Sequence, residues 1–419
     1  MNSVKKAIKE NKFINRKVFE NYFFMTLLQV VSPLIGFIVY PYIITVLGPS
    51  NYGLYVVSLS ITTYFAIIIS YGFSWTGLRD ISCYHDNQEE KDKIFSTIFI
   101  AKSLLLIVVF TFFCLLISFI PFCKQNKFIL LFSCLQVVVP EMLFPCWFFQ
   151  GIQKMKVVTI VQLFSRLLTI PLIFVLIKKQ GDILIYAMIT SGTTILGSFI
   201  SAWFIFCKEK IRISMVSFEK LTMCFKEAFP FFCTNIAHSA KTELLPIITG
   251  AFLGLYDVAL YDLARKIISI PTVLTDKING ALFPEIIRNP IRSKIKKIMN
   301  MEVLIGIVAV FLVCALSYWL ILFLGGEQMT GAYPLTCILS ITILTNLLVE
   351  AYMNFVFVPS KKYYYITQLQ IVSLVFIVIF SLSLLIFKPS IFVIAITASL
   401  SSIVEVAYAY FRIKQRRLL

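Results

Sequence analysis

Twelve runs of predominantly apolar residues, each long enough to cross a lipid bilayer as a helix, leave this 419-residue chain few ways to fold. A spanning helix needs about 20 such residues to cover the hydrocarbon layer. The runs lie near 22–47, 54–77, 95–120, 128–149, 157–177 and 183–206, and then near 225–252, 258–287, 303–324, 332–358, 365–387 and 391–411. Inside lipid every backbone N–H and C=O must be satisfied within the protein, so runs of this length read as α-helices. The composition agrees: 59% of residues are hydrophobic, 14% are charged and the mean hydropathy is +0.88, more apolar surface than a soluble core of this size could hide. The expected class is an all-α polytopic membrane protein with twelve transmembrane helices.

Lys and Arg in short loops stay on the cytoplasmic side. With the N-terminus inside, the inner segments hold 27 of the 38 basic residues, while the outer loops hold five, Lys124, Lys127, Lys178, Lys179 and Lys388. Both termini are therefore expected in the cytoplasm. The organisation that follows is a basic N-terminal segment 1–21, a six-helix bundle 22–206, a cytoplasmic linker 207–224, a second six-helix bundle 225–411 and a basic tail 412–419. The apolar run after residue 21 is too long for a secretory signal and lacks a small-residue cleavage site, so it reads as a retained span. The formal charge of +17 is spread between spans rather than gathered on one domain, which argues against a nucleic-acid partner. Two His and ten Cys without a C-x-x-C pair give no metal-ligand spacing, and no cofactor is expected. Short outer loops leave no room for a catalytic domain.

A break between apolar runs, Leu47-Gly48-Pro49-Ser50-Asn51-Tyr52-Gly53-Leu54-Tyr55, recurs 206 residues later as Leu253-Gly254-Leu255-Tyr256-Asp257-Val258-Ala259-Leu260-Tyr261. Repetition at this distance reads as two similar halves. Spans one and seven both start inside, so the repeat is parallel, an arrangement that places a substrate site in a central cavity between the halves. Pro33, Pro41, Pro140, Pro145, Pro230 and Pro246 each remove a helical hydrogen bond and allow a kink.

Charge within a span costs about 2.5–3.5 kcal/mol at mid-bilayer on insertion scales, so such residues are functional candidates by default. The cations are Lys102, Arg166, Lys241, Arg265, Lys266 and Lys277, expected to bind an anionic substrate. Glu141, Glu243, Asp262, Asp276 and Glu350 are the acidic candidates for lining a cavity or carrying a coupling ion, and Glu405 is a further proton carrier. On span eight, Asp262, Arg265, Lys266, Ser269, Thr272, Asp276 and Lys277 share roughly half of the helix circumference at about 100° per residue. That stripe lines a cavity or, alternatively, Asp262 and Lys266 neutralise one another at i, i+4 and pack the bundle. Asn235, His238, Lys241, Thr242 and Glu243 form a second polar group on span seven.

The run 40–49 followed by Tyr52-Gly53, then Tyr71-Gly72-Phe73 and Arg79-Asp80-Ile81-Ser82, resembles the N-terminal signature of the Wzx-type O-antigen flippases. So does Pro145-Cys146-Trp147-Phe148-Phe149-Gln150-Gly151 with Lys154-Met155-Lys156, while Ala264-Arg265-Lys266-Ile267 and Phe283-Pro284-Glu285-Ile286 are weaker echoes. Many relatives carry Arg where this chain has Val46, so a role for that arginine does not transfer. The resemblance implies the fold of the multidrug/oligosaccharidyl-lipid/polysaccharide exporter superfamily, two six-helix bundles around a central cavity. It also implies a substrate, an oligosaccharide unit on undecaprenyl pyrophosphate moved between leaflets of the bacterial inner membrane. Membrane lipid, a polysaccharide polymerase and a chain-length regulator are the implied partners. Lys and Arg would hold the diphosphate, and Trp147, Tyr352 and Tyr365 are candidates to stack on sugars. Two rivals stay open: a multidrug extruder of the same superfamily, and a membrane-bound polymerase or acyltransferase.

Overall fold

The computed structural model describes residues 2–84, 86–288, 292–360, 362–387 and 389–416, with the side chains of 2–19, 276–278, 280–285, 287, 288, 292, 294, 363, 384, 385 and 387 excepted. Among the described residues the chain is helical, with no strand. The helices are α1 (Asn2–Leu47), α2 (Pro49–Ser70), α3 (Phe73–Cys83), α4 (Gln88–Phe119), α5 (Pro121–Gln125), α6 (Lys127–Leu143), α7 (Cys146–Gly151), α8 (Met155–Leu176) and α9 (Ile183–Trp203). They continue as α10 (Phe218–Phe252), α11 (Leu255–Arg288), α12 (Arg292–Gly325), α13 (Ala332–Tyr352), α14 (Tyr363–Phe387) and α15 (Ile391–Gln415). Ten helical segments among the described residues are long and apolar enough to cross a membrane, and the protein is a multi-pass membrane protein. α10 and α11 are just as long, at 35 and 34 residues, but ionic and polar side chains interrupt their apolar runs.

Glycines in the left-handed region set two of the helix starts. Gly48 (φ 80°) ends α1 and lets α2 begin at Pro49, and Gly254 (φ 134°) precedes α11. These are corresponding positions of the repeated motif, and each glycine carbonyl accepts the amide four residues on, Tyr52 at 3.2 Å and Val258 at 3.3 Å. The two motif copies touch: a Cβ at Gly53 would lie 1.8 Å from the Leu255 carbonyl oxygen, so the backbones meet where only glycine fits.

Two of the runs read as single spans are divided. Within 54–77 the chain breaks at Tyr71 (φ 44°) and Gly72 (φ 79°), and α3 follows as a separate helix. A Cβ at Gly72 would sit 2.8 Å from the Ala228 carbonyl oxygen, which fixes the turn against the start of α10. Within 128–149, α6 stops before Phe144 and Pro145, because the residue preceding proline disfavours helical backbone. Pro33 and Pro41 in α1, and Pro230 and Pro246 in α10, lie within continuous helices.

The chain forms two compact units, residues 1–39 with 62–232, and residues 40–61 with 233–419. Segment 40–61, N-terminal to the expected linker 207–224, thus belongs to the second unit. The first unit is centred on an aromatic cluster of Phe73, Phe95, Trp147, Phe148 and Phe149. Its density depends on small residues: Trp147 covers Gly77 so closely that a Cβ there would lie 2.7 Å from the indole, and Gly151 meets Ile81 in the same way. The family-like stretches around Tyr71, Arg79 and Pro145 are thus the packing of α3 against α7. In the second unit, Tyr352, Val356, Phe357, Tyr365 and Leu369 form one apolar cluster, and Ile286, Ile295, Ile298, Ala351 and Phe355 another.

Candidate functional site

The charged residues inside the spans fall into a sealed group and an open one. In the first unit, Lys102 on α4 donates from Nζ to the Glu141 carboxylate at 2.6 Å and to the Glu141 carbonyl at 2.9 Å, and its side chain is 3% exposed. Both hydrogen-bond partners come from α6 next to Pro140, whose ring prevents it from donating to the helix ladder. Arg166 on α8 is exposed and makes no ion pair or hydrogen bond among the described residues.

The second unit holds a cavity of about 400 Å³. α10 contributes Lys241, Thr242 and Glu243; α11 contributes Tyr261, Arg265, Ser269 and Thr272; Thr342 and Asn346 come from α13, Ser401 and Ser402 from α15. The charges in its wall are held to different degrees. Lys241 Nζ donates to Glu405 at 2.7 Å, and Glu405, 1% exposed, also accepts from Gln370 Nε2 at 3.0 Å, which fixes that pair from behind. Arg265 is looser: one nitrogen donates to the Thr242 carbonyl at 2.9 Å, another reaches Glu243 at 3.4 Å, and its side chain is 40% exposed. Glu243 is in turn anchored by the Ser60 hydroxyl at 2.7 Å. Arg265 thus keeps unused donors of its planar fork at the cavity wall, a geometry suited to phosphate or carboxylate.

The polar stripe of span eight splits in two. Arg265, Ser269 and Thr272, at i, i+4 and i+7, face the cavity. Asp262 and Lys266 lie on an adjoining face and close on themselves: Lys266 donates to Asp262 at 2.7 Å and to the Tyr52 hydroxyl, and Tyr52 donates to the same Asp262 oxygen at 2.8 Å. The Lys266 ammonium also lies 4.7 Å from the centroids of both the Tyr40 and Tyr52 rings, a cation–π arrangement that offsets part of its desolvation. Tyr40 and Tyr52 thus hold the ammonium against Asp262, although the lysine side chain is still 37% exposed. The side chains of Asp276 and Lys277, and of Phe283, Pro284 and Glu285, lie outside the described residues. Glu350 sits on α13 away from the cavity lining.

Of the expected substrate-binding cations, the structure brings Lys241 and Arg265 to one cavity, whose wall also holds Glu243. The aromatic candidates are placed elsewhere: Trp147, Tyr352 and Tyr365 are buried in the apolar clusters of their units, and Tyr261 is the tyrosine in the cavity wall. Thr342, Ser401 and Ser402 escaped sequence reading because uncharged hydroxyls cost little in a helix, where they bond their own preceding turn, and Asn346 carries no charge to mark it. The spacing Ser401-Ser402 to Glu405 on one face was the available signal.

Comparison with known proteins agrees with this architecture. Residues 18–290, well over half of the chain, match the family described as polysaccharide biosynthesis protein. A relative from Escherichia coli (strain K12), named "Putative O-antigen transporter", is 24% identical over 280 residues, 67% of this chain and 67% of its own. One of the same name from Shigella dysenteriae is 25% identical over 268 residues, 64% of this chain and 67% of its own. Among solved structures, an inward-facing multidrug resistance MATE family transporter of the MOP superfamily superposes with a TM-score of 0.65 at 14% identity, over 91% of this chain and 98% of that one. A MOP superfamily transporter from Pyrococcus furiosus, noted for the reverse polarity of its binding pocket, gives 0.61 at 15% identity over 93% and 94%. With a MOP-type fold along most of its length and a family match over 18–290, the chain belongs to the polysaccharide biosynthesis protein family.

Proposed function

We propose that the protein is a flippase that moves undecaprenyl-pyrophosphate-linked O-antigen, or related surface-polysaccharide, repeat units from the cytoplasmic to the periplasmic leaflet of the bacterial inner membrane. In this reading it has twelve spans, both termini in the cytoplasm, bundles at 22–206 and 225–411, and works by alternating access, not bond-forming chemistry. The observation that carries it is the Arg265 guanidinium, 40% exposed in a cavity whose other charged groups, Lys241 and Glu243, are held by Glu405 and Ser60 and whose remaining polar wall is hydroxyl and amide. A glycosyl diphosphate cannot cross hydrocarbon unaided, since its hydroxyls and charges would go unsatisfied. Thr242, Ser269, Thr272, Thr342, Ser401 and Ser402 would stand in for water around the sugar, and Arg265, with Lys241 as the second cation of the wall, would take the diphosphate. The cavity volume, about 400 Å³, falls within the roughly 300–1,000 Å³ of small-ligand pockets, so in this reading it takes part of the polar head while the polyprenyl tail stays in lipid.

Moving an anion out of a negative interior is favoured by about 2.3 kcal/mol per charge per 100 mV. The membrane potential can therefore drive the flip unaided, with proton or sodium antiport as the coupled alternative. Transport in reconstituted vesicles that ignores both ion gradients would eliminate antiport. The polymerase and chain-length regulator of the same pathway are the proposed partners.

Deleting the gene and probing periplasmic access to lipid-linked units tests the proposal. Units trapped in the inner leaflet with synthesis intact are the expected result; outward display of single units would overturn it. Glu243 favours one second reading, extrusion of a cationic drug that displaces Arg265 from it. Drug resistance lost in Glu243→Gln, with polysaccharide export unchanged, would select that reading.

A further inference from the structure

Acids do not accompany the basic residues equally in the two units. Three cations near helix ends of the first unit have acids beside them: Lys93 pairs with Glu89 at 2.6 Å and Glu90 at 3.1 Å, Lys154 with Glu209 at 2.6 Å, and Arg79 with Asp80 and Glu227 at 2.7 Å each. From residue 329 to the C-terminus the sequence holds two acids, Glu350 and Glu405, against seven basic residues. Glu405 is already taken by Lys241 and Gln370. Three of the seven, Lys362, Arg412 and Arg416, gather where α14 begins and α15 ends, and none of them forms an ion pair among the described residues.

Aromatic rings hold this cluster in place. Tyr365, 2% exposed, packs with Phe357 and Leu369, and Tyr408 of α15 lies against the same apolar cluster. Arg412 lies across both tyrosines, its guanidinium carbon 5.7 Å from the Tyr365 centroid and 5.0 Å from that of Tyr408, an arrangement in which the ring faces attract the cation. Its Nε donates to the Tyr408 hydroxyl at 2.9 Å, that hydroxyl donates to Gln368 Oε1 at 3.0 Å, and Nη1 donates to Gln415 Oε1 at 3.1 Å. The second terminal nitrogen, Nη2, has no partner among the described residues. Arg416 and Lys362 approach the Tyr365 hydroxyl. At about 100° per residue, Arg412 and Arg416 share one face of α15 and Lys414 lies on the opposite side.

We propose that Lys362, Arg412 and Arg416 form a binding site for a phosphate group, supplied by the headgroup of an anionic phospholipid. A planar fork with an unused nitrogen, flanked by two further cations and no acid, suits phosphate oxygens. Place selects lipid as the source. The apolar spans Tyr364–Ser383 and Ile391–Gln415 begin and end at this cluster, which sets its cations at headgroup level. Tyr364, Tyr410 and Phe411 are exposed beside it, as tyrosines are at a membrane–water boundary. Basic pockets between spanning helices hold anionic headgroups through such charges. The assignment is independent of the flippase reading, since lipid binding can be measured with no transported substrate present.

Thermal unfolding of the purified full-length protein in a neutral detergent would be compared with added phosphatidylglycerol, phosphatidylcholine and inorganic phosphate at equal ionic strength. The expected result is a saturable rise in Tm with phosphatidylglycerol alone. Arg412→Gln and Arg416→Gln should each raise the half-saturating lipid concentration about fivefold, the effect of one cation at an anionic surface. Lys414→Gln removes the same charge from the opposite side of α15 and should leave it unchanged. Equal responses of the wild type to the two lipids would overturn the site without any variant having to fold. Equal weakening by Lys414→Gln and Arg416→Gln would overturn it as well, because net charge rather than this cluster would then gather the lipid. A response to inorganic phosphate with none to lipid would reject the headgroup as the source. Native mass spectrometry of the wild type gives a second reading; phosphatidylglycerol and phosphatidylcholine retained in equal number would also reject the site.

Discussion

Lys102 with Glu141 and Arg265 with Glu243 each pair a basic side chain with a glutamate inside an apolar run, yet they differ in geometry. The first is short, at 2.6 Å, doubly bonded and closed over by α4 and α6. The second is long, at 3.4 Å, shares its cation with a backbone carbonyl and opens on a cavity. Desolvation sets the difference. A sealed pair has nothing but its partner to replace water, so it is held tightly and holds its helices in turn. An open pair can trade its partner for a ligand. Charge in a span is thus evidence of a site only where its partner is incomplete, and Lys266, 37% exposed yet paired with Asp262 and set over Tyr40 and Tyr52, shows how a half-exposed cation can already be fully partnered.

The strongest way to break the comparison is to remove half of the sealed pair. Lys102→Met leaves the Glu141 carboxylate without its counter-charge and is expected to cost about 3–5 kcal/mol, read as a lowered Tm in detergent. Adding Glu141→Leu should recover most of that loss, since an apolar pair of similar volume replaces the ion pair with little penalty. If the double variant stays as unstable as the single one, Lys102 does more than neutralise Glu141. A smaller effect is expected where the cation is shared. Tyr52→Phe removes the hydroxyl that joins Lys266 to Asp262 but leaves their 2.7 Å contact, so the loss should be about 1.5–3 kcal/mol, the range for a hydrogen bond to a charged group. A loss as large as that of Lys102→Met would mean that Tyr52, not Asp262, is the main partner.

Hydropathy made the helices legible, because a bilayer admits few other structures and each span announces itself over about 20 residues. The repeat was legible for a related reason: Gly48 and Gly254 hold backbone angles that other residues avoid, and the identity of the residue records that. The helix break at Tyr71-Gly72 was missed because apolar composition continues across it and only local backbone demands interrupt the helix, while at Pro145 an expected kink proved to be a full break. The site was half legible. Sequence listed the charges deep within the spans but could not say which were sealed, since that depends on a neighbouring helix distant in the chain, as with Lys241 and Glu405, 164 residues apart. Glu302 lies just before the run near 303–324 with basic residues preceding it, so nothing in the sequence marks its burial, which is purely tertiary.

Arg265→Ala sharpens the comparison from the other side, with the smallest expected change in stability. The guanidinium is 40% exposed and its ion pair is long, so screening by solvent limits its contribution to under about 1 kcal/mol. Glu243 keeps its bond from Ser60 when Arg265 is gone. Export should nonetheless fall by about tenfold or more, the loss expected when a charge-assisted contact worth ~1.5–3 kcal/mol is removed from the transported state. Arg265→Lys should recover only part of it, because an ammonium cannot make the paired bonds of the planar fork. The measurement is surface polysaccharide per unit of membrane-inserted protein in a deletion strain carrying each variant. Stability unchanged and export lost would separate Arg265 from Lys102 in kind. Both lost together would mean that the long 3.4 Å contact is structural after all, and that Lys241 is the cation that meets the substrate.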